Sequence, residues 1–403
     1  MRALAFRSSP QLALKQCKDM RMITLQKLWR AYEECRRRKK NTVNALRFEI
    51  DREKNLMKLF NDLQSRSYKI SRHICFIVTF PTPREVFAAD FRDRIVHHLL
   101  YNELYSMLDK VLIDDSYANR KRKGTHRAVY KLRTHMQQVV SKKRGGFYLK
   151  LDVKSFFRSI DRNILFTLVS NHINAMSIAN PHLSTQWKEE IVWLIKIIIF
   201  HDPTSNFVYK GDPGKKDLIP YEKSLFYSKG RGLPIGNLTS QFFANLYLNE
   251  LDQFITKKLG FRRYVRYVDD FIIIDEDQKQ LKKIIPEINT FLIQHLTLSI
   301  HEKKICLQPL SHGVDFHGYY VKPDHMLVRQ KVVKRLYAKI HVPRTGGDNL
   351  DISTINSYFG HFSHARSYTL RKHAAEKILS LSKKITFDKR YTQAHFADNS
   401  AMI

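Results

Sequence analysis

The chain has 403 residues, 43% of them hydrophobic, enough apolar side chain for genuine cores in two or three domains and too much for a wholly disordered protein. Lysine and arginine number 70 against 38 aspartates and glutamates, a formal charge of +32 that no single tail holds, so the surface calls for a polyanion. The most apolar run, Ile191 to Phe200, is interrupted by Lys196 and is too short to cross a bilayer, which excludes a membrane-spanning helix there.

Residues 1–21 read as a basic N-terminal tail. The first eighteen lack acidic groups and carry Arg2, Arg7, Lys15 and Lys18. That composition also occurs in organellar presequences, but a basic start or an early helix is the simpler reading. From Met22 to about Asp62 the pattern fits a helix, with Leu25, Leu28, Trp29 and Tyr32 at helical spacing. CFIVTF at Cys75 to Phe80 is rich in strand formers. Pro81 and Pro83 punctuate the chain before a helix-like pattern resumes in PREVFAADFRDRIVHHLLYNEL.

Phe147 to Lys154 alternates, with Phe147, Leu149, Leu151 and Val153 on one face and Tyr148, Lys150, Asp152 and Lys154 on the other, which predicts a half-buried strand presenting an aspartate. Residues 201–231, dense in Gly, Pro, Asp and Lys, read as an extended surface insertion. Gly232, Pro234 and Gly236 form a turn feeding an amphipathic helix marked by Phe243, Tyr247, Leu251, Phe254 and Ile255. RYVRYVDDFIIID predicts a hairpin, Tyr264 to Val268 and Phe271 to Ile274, with Asp269 and Asp270 at its tip. Beyond Pro323 the pattern is basic and helical. Strands mixed with helices give an α+β fold class.

Any one of the three basic runs, Arg36 to Lys40, Arg120 to Lys123 and Lys142 to Arg144, reads by itself as a solvated helix face, but three together with the global excess of charge read as phosphate contacts. Within the second, Arg120, Lys121, Arg122 and Lys123 are the named nucleic-acid-binding candidates. Cys17, Cys35, Cys75 and Cys306 show no metal-ligand spacing and read as reduced thiols. No HExxH occurs, and His97 and His98 are assigned to packing or backbone contact.

Asp152, Asp269 and Asp270, brought by neighbouring strands, are the kind of carboxylate set that a two-metal phosphoryl-transfer site requires. Mg2+ suits it, preferring hard oxygens and sharing them with substrate phosphates, with Mn2+ as a substitute. A DD pair by itself is an ordinary surface turn. Its setting distinguishes this one: an aromatic before it, apolar strands on both sides and the strand-borne Asp152 upstream.

YVDD at Tyr267 to Asp270 resembles the catalytic hairpin of reverse transcriptases. FYLKLDVKSFFRSID resembles their first carboxylate motif and GLPIGNLTSQFFANLYLNELD their Gly-turn and helix motif, in the required order. IGNLTSQ, with FRDRIVHH, YANRKRKGTH and YFGHFSHA, is more similar still to the reverse transcriptases of diversity-generating retroelements, over roughly residues 22–375.

The resemblance implies a right-hand polymerase: fingers with an N-terminal helical extension over 22–146, a palm of antiparallel sheet packed on helices over 147–324 that includes the 201–231 insertion, and a helical thumb and C-terminal tail over 325–403. It implies that Asp152, Asp269, Asp270 and the Val153 carbonyl hold two metal ions, that Arg84 contacts the incoming triphosphate, and that Phe157 excludes a ribose 2′-hydroxyl while Phe156 faces the core. Ile235, Gly236, Asn237 and Gln241 would bound nucleotide and template base, with Ser240 capping the helix instead. Ile235 stands where retroviral enzymes carry glutamine, implying low fidelity at template adenines. Lys303 or Lys304 would protonate pyrophosphate, or the two form a solvated pair. Phe316-His317-Gly318 departs from the usual FLG of the segment that supports the primer grip.

The implied partners are a structured template RNA, its cDNA and RNA–DNA duplex, dNTPs and a small basic accessory protein forming a pentameric ring, in the cytoplasm of a bacterium or archaeon or from a phage, without membrane or organelle. The alternatives are a group II intron, retron or phage-defence reverse transcriptase, or a non-catalytic RNA-binding scaffold.

Overall fold

The computed structural model describes residues 21–37, 39–80, 82–141, 145–341, 351–382 and 384–397. The 22–62 stretch forms three helices rather than one: α1 (Leu25–Arg36), α2 (Val43–Ile50) and α3 (Arg52–Gln64). The Thr24 hydroxyl caps α1 by accepting from the Lys27 amide at 3.2 Å. Asn41 and Thr42 then favour turn and cap conformations over helix, so the chain breaks there.

Strands β1 (His73–Val78) and β2 (Arg84–Ala88) pair antiparallel from Ile74↔Ala88 to Val78↔Arg84. The helix-like pattern after Pro83 therefore starts as a strand. Helix α4 (Phe91–Leu108) begins only where the Asp90 carboxylate accepts from the Arg92 amide at 3.2 Å. Next come α5 (Thr125–Val140), β3 (Phe147–Asp152), the single turn α6 (Phe156–Ser159), α7 (Arg162–Ala179) and α8 (Thr185–Phe200). Asp161 and Ser184 cap α7 and α8.

The expected surface insertion contributes β4 (Phe207–Tyr209), which pairs parallel with β1, followed by short 3₁₀ turns. Helix α9 (Leu238–Gln253) is buried on nearly every side rather than along one stripe, and even Asn245, Asn249 and Asp252 are inside. Then follow β5 (Tyr264–Tyr267), β6 (Asp270–Asp275), α10 (Gln278–Leu296), β7 (Cys306–Pro309), β8 (Val314–Phe316), β9 (Tyr319–Val321) and β10 (Met326–Val328). The C-terminal part adds α11 (Gln330–His341), α12 (Ile352–Phe362) and α13 (Tyr368–Leu381), and also a hairpin of β11 (Ile385–Phe387) and β12 (Ala394–Phe396) that helical patterning did not indicate.

The result is a mixed α+β chain with open sheets that divides into two compact units. One comprises the described residues to Asp114, Asp152–Lys258 and Pro286–His301. It holds the sheet β2-β1-β4 and the helices α1 to α4 and α6 to α9. Two of its buried polar groups bridge distant segments. The Glu190 carboxylate accepts from the Met22 and Ile23 amides at 2.9 and 3.0 Å, and His97 Nδ1 lies 2.8 Å from the Thr239 hydroxyl. Burial pushes His97 down to about 3.

The other unit comprises Asp115–Leu151, Leu259–Ile285 and the residues from Glu302 onward. It holds the sheets β5-β6-β3-β7 and β10-β9-β8. Its first core joins Val129, Leu132 and Met136 of α5 to Val265, Ile272 and Phe316. Its second joins Leu336, Ile355, Phe359 and Ile378 of the C-terminal helices. Cys35, Cys75 and Cys306 are free thiols, and among the described residues no helix is long and apolar enough to cross a membrane.

Among the described glycines of the first unit, Gly232 leaves the least room for a side chain. It sits at φ +84°, its amide bonds the Ile160 carbonyl at 2.8 Å, and a Cβ would lie 2.7 Å from the Arg158 carbonyl oxygen. Gly232→Ala is expected to lower the unfolding free energy by about 1–3 kcal/mol through backbone strain and the clash with main chain. Urea denaturation reads this directly, and an unchanged midpoint would mean that the turn is not held as described.

Candidate active site

The β5–β6 hairpin closes in two residues, because Tyr267 pairs with Asp270 and leaves Val268 and Asp269 as the loop. Val268 lies at φ +58°, where two-residue hairpin turns normally place glycine and a β-branched side chain is strained by about 1–3 kcal/mol. Arg266 opposes that strain. Its side chain has no solvent exposure, and Nη1 donates to the Val268 carbonyl at 3.0 Å. Its backbone is fixed on both sides, the amide donating to the Asp115 carbonyl and the carbonyl accepting from the Tyr117 amide, each at 2.9 Å. The Tyr267 hydroxyl accepts from the Thr125 hydroxyl at 3.1 Å, and its ring centroid lies 4.1 Å from that of His317.

Asp152 is the last residue of β3 and is buried; β6, the next strand of that sheet, begins on Asp270. Just past β3, Val153 forms an antiparallel bridge with Ile300, flanked by bonds from the Lys154 amide to the Ser299 carbonyl and from the His301 amide to the Asp152 carbonyl. In such a ladder the bridged residue between two bonds turns its own N–H and C=O to the opposite edge. The Val153 carbonyl is therefore directed away from the Ile300 chain.

Lys150 Nζ lies 3.5 Å from Asp270 Oδ2 and donates to the Asp315 carbonyl at 3.1 Å. Among the described residues, no group of three or more His, Cys, Asp or Glu side chains is gathered closely enough to hold a metal ion. Asp152, Asp269 and Asp270 each carry hard carboxylate oxygens, the donor chemistry that a divalent cation prefers.

The candidate nucleotide-binding residues fall within the first unit, around one turn. The Ile235 carbonyl accepts from the Phe87 amide of β2 at 3.0 Å, and Asn237 Oδ1 accepts from the Ala89 amide at 3.0 Å. Gly236 is at φ +121°, and a Cβ there would meet Val86 at 2.8 Å. On its other side the Leu233 amide bonds the Phe157 carbonyl at 2.8 Å. Arg84 is exposed at the start of β2; Phe157, Ile235 and Gln241 are half-buried, while Phe156 is buried. Ser240 is not a cap. Asn237 is the cap residue of α9, Ser240 lies buried inside the first turn, and the Asn237 side chain serves Ala89 instead of its own helix.

Lys303 and Lys304 are both exposed in a 3₁₀ turn, Glu302–Lys304, which does not distinguish them. Lys121 and Arg122 are exposed; Arg120 Nη1 donates to the Ser116 carbonyl at 2.9 Å, and the Lys123 ammonium stands 5.0 Å from the centre of the Tyr117 ring. Lys142 to Arg144, Arg38 and the tail before residue 21 lie outside the described residues. His317 and Gly318, at φ +45° and +89°, form the two-residue turn of the β8–β9 hairpin. Both central residues of a type I′ turn need positive φ, and histidine tolerates that region better than the branched leucine of the usual motif. Burial, then the Lys150 charge, pushes His317 down to about 4, so it is neutral at ordinary pH.

Arg266 and Lys150 are site residues that the motifs did not single out. Their one visible signal is a charged residue inside an otherwise apolar or alternating strand.

Residues 82–321 match the family model described as reverse transcriptase (RNA-dependent DNA polymerase). The chain belongs to that family. Among curated relatives it is similar to the Retron Ec73 reverse transcriptase of Escherichia coli, 29% identical over 150 residues, covering 35% of this chain and 36% of that protein. It is also similar to the COX1/OXI3 intron 2 protein of Saccharomyces cerevisiae, 22% identical, covering 77% of this chain and 38% of the relative. The match thus spans little more than a third of either relative. Among solved structures, apo telomerase from Candida Tropicalis truncated from its C-terminal domain aligns with a TM-score of 0.48 and 12% identity, over 64% of this chain and 55% of that one. Reverse transcriptases, as RNA-dependent DNA polymerases, are nucleotidyltransferases.

Replacing Arg266 by Leu removes the buried donor of the Val268 carbonyl and should cost about 1–3 kcal/mol of stability. The same substitution should slow nucleotide incorporation well beyond any change in RNA binding. An unaltered urea midpoint together with unaltered incorporation would show that Arg266 does not hold the turn.

Proposed function

We propose that this chain is an RNA-directed DNA polymerase in which Asp152, Asp269 and Asp270 hold two Mg2+ ions, Mn2+ substituting, with the Val153 carbonyl as a further ligand. The carrying observation is that a strand ending on Asp152 neighbours a strand beginning on Asp270, inside the span that matches the reverse transcriptase family. In this reading residues 22–146 form the fingers with an N-terminal helical extension, 147–324 the palm and 325–403 the helical thumb and C-terminal tail.

When bound, the metal pair would lower the pKa of the primer 3′-hydroxyl and balance charge on the phosphates. The protein's own groups do the rest. Arg84, exposed on β2, binds the triphosphate, and the Ile235–Gly236 backbone with Gln241 bounds nucleotide and template base. Phe157 crowds a ribose 2′-position and selects deoxynucleotides. The primer hydroxyl gives its proton to solvent and its oxygen forms the bond to the α-phosphorus as the bond to pyrophosphate breaks, while Lys303 or Lys304 supplies a proton to that leaving group. Arg120, Lys121, Arg122 and Lys123 contact phosphates, in keeping with the charge of +32.

The element served is a retroelement whose RNA is the template. The similarity to a retron reverse transcriptase and an intron protein supports those classes over a diversity-generating element. IGNLTSQ at Ile235 to Gln241 is what favours the diversity-generating reading, with its adenine-directed errors and pentameric accessory partner. The presence of all three aspartates disfavours a non-catalytic RNA-binding scaffold.

Asp152→Asn and Asp269→Asn should each reduce Mg2+-dependent dNTP incorporation on a primed RNA template by about a thousandfold, the equivalent of several kcal/mol of charge stabilisation, while leaving RNA affinity largely intact. Wild-type extension rates in either variant would refute the assignment. If Ile235 relaxes template checking, sequenced products of the wild-type protein should carry more errors opposite template adenines than those of Ile235→Gln. Identical error spectra would remove that role and with it the diversity-generating reading.

A further inference from the structure

The segment between α8 and the Gly232 turn carries an aromatic surface that the proposed polymerase chemistry does not use. Tyr221 and Tyr227 stack on each other, their centroids 4.3 Å apart and planes at 29°, yet they remain 59% and 51% exposed. Two large rings are thus held in a fixed arrangement on the surface rather than drawn into a core. Phe226, between them in sequence, makes edge contacts to Phe87 at 5.5 Å and Phe207 at 5.2 Å while staying 38% exposed.

The base of this segment is pinned by buried bonds. Glu85, buried on β2, accepts from the Ser224 hydroxyl at 3.0 Å and the Leu225 amide at 2.7 Å. Arg158 donates to the Ser224 carbonyl at 3.0 Å and the Tyr227 carbonyl at 2.7 Å, and its guanidinium carbon lies 5.8 Å from the Tyr221 ring centre. The conformational entropy of ordering the rings is therefore lost on folding and not on binding.

In the same segment Lys215, Lys216, Lys223, Lys229 and Arg231 are exposed, with Lys216 Nζ 4.4 Å from the Tyr209 ring centre and Arg231 Nη2 3.8 Å from Asp161 Oδ2. The acids of the segment are Asp202, Asp212, whose carboxylate caps the Gly214 amide, Asp217 and Glu222, and Asp161 at the cap of α7 pairs with Arg231. Exposed, preorganised aromatic faces among cations match unpaired bases on a phosphate backbone. A duplex, whose bases are already stacked on one another, does not offer those faces.

We propose that Tyr221 and Tyr227 form a stacking platform for single-stranded RNA, with the surrounding lysines and Arg231 taking its phosphates. The proposal rests on the reading that this chain handles RNA, but its test needs no polymerisation. Binding of a fluorescently labelled, unstructured RNA oligonucleotide to the full chain, without dNTPs, is measured by anisotropy. Replacing both tyrosines by Ala should weaken it roughly tenfold or more, since stacking contributes about 1–3 kcal/mol per base. Replacing both by Phe should retain wild-type affinity, and affinity for an RNA–DNA duplex should not change with either pair.

Unchanged single-strand affinity in the Ala pair, or an equal loss for the duplex, would overturn the platform. Should the Ala pair fail to fold, ultraviolet crosslinking of 4-thiouridine RNA to the wild-type protein decides instead: adducts on Tyr221 or Tyr227 support the proposal, and adducts only elsewhere refute it. Single-strand binding without any dNTP incorporation would refute the polymerase reading and leave the platform standing.

Discussion

The candidate catalytic hairpin depends on a backbone conformation that its own sequence disfavours. Val268 occupies the left-handed region in a two-residue turn, and the donor that meets its carbonyl is the guanidinium of Arg266, an arginine with no solvent contact. Removing an arginine from water costs several kcal/mol unless its hydrogen bonds are met inside, so such a residue persists where the fold demands its geometry. Here it fixes the direction in which the chain leaves β5 and enters β6. Asp269 and Asp270 sit immediately past that point, and small errors in the turn would carry directly into their carboxylates.

A comparable constraint acts in the other unit on the candidate nucleotide-binding residues. The turn from Gly232 to Asn237 is tied to the Phe157 and Ile160 carbonyls on one side and to the Phe87 and Ala89 amides on the other. Both glycines at its tightest approaches, Gly232 and Gly236, have positive φ and no room for a Cβ. Backbone atoms, together with the Asn237 side chain, thus hold the turn that carries Ile235. The side chain at 235 takes no part in the bonds that hold the loop, because Ile235 is tied there through its carbonyl.

Much of this was legible in the sequence where the signal was local. The alternation of Phe147 to Lys154 gives β3, and apolar runs on either side of Asp269 and Asp270 give the β5–β6 hairpin. What escaped the sequence depends on partners distant along the chain. Arg84 to Ala88 carries a helix-like pattern and becomes strand because β1 supplies a ladder. The three residues of β4 pair with β1 from more than a hundred positions away, in a segment whose composition indicates loop. Arg266 and Lys150 were illegible for a related reason: a charge in a strand acquires its role only from the carbonyl or carboxylate that folding brings to it. The terminal hairpin of β11 and β12 is likewise too short to register against the helical pattern around it.

The polymerase reading stands or falls on divalent-metal-dependent synthesis templated by RNA. Single-nucleotide extension of a DNA primer annealed to RNA, by the wild-type full chain with Mg2+ and then with the metal chelated, tests it most directly. Extension by the dNTP complementary to the template base, lost on chelation and restored by added Mg2+, is the predicted result. No extension under any divalent metal, or extension indifferent to chelation, would contradict the account.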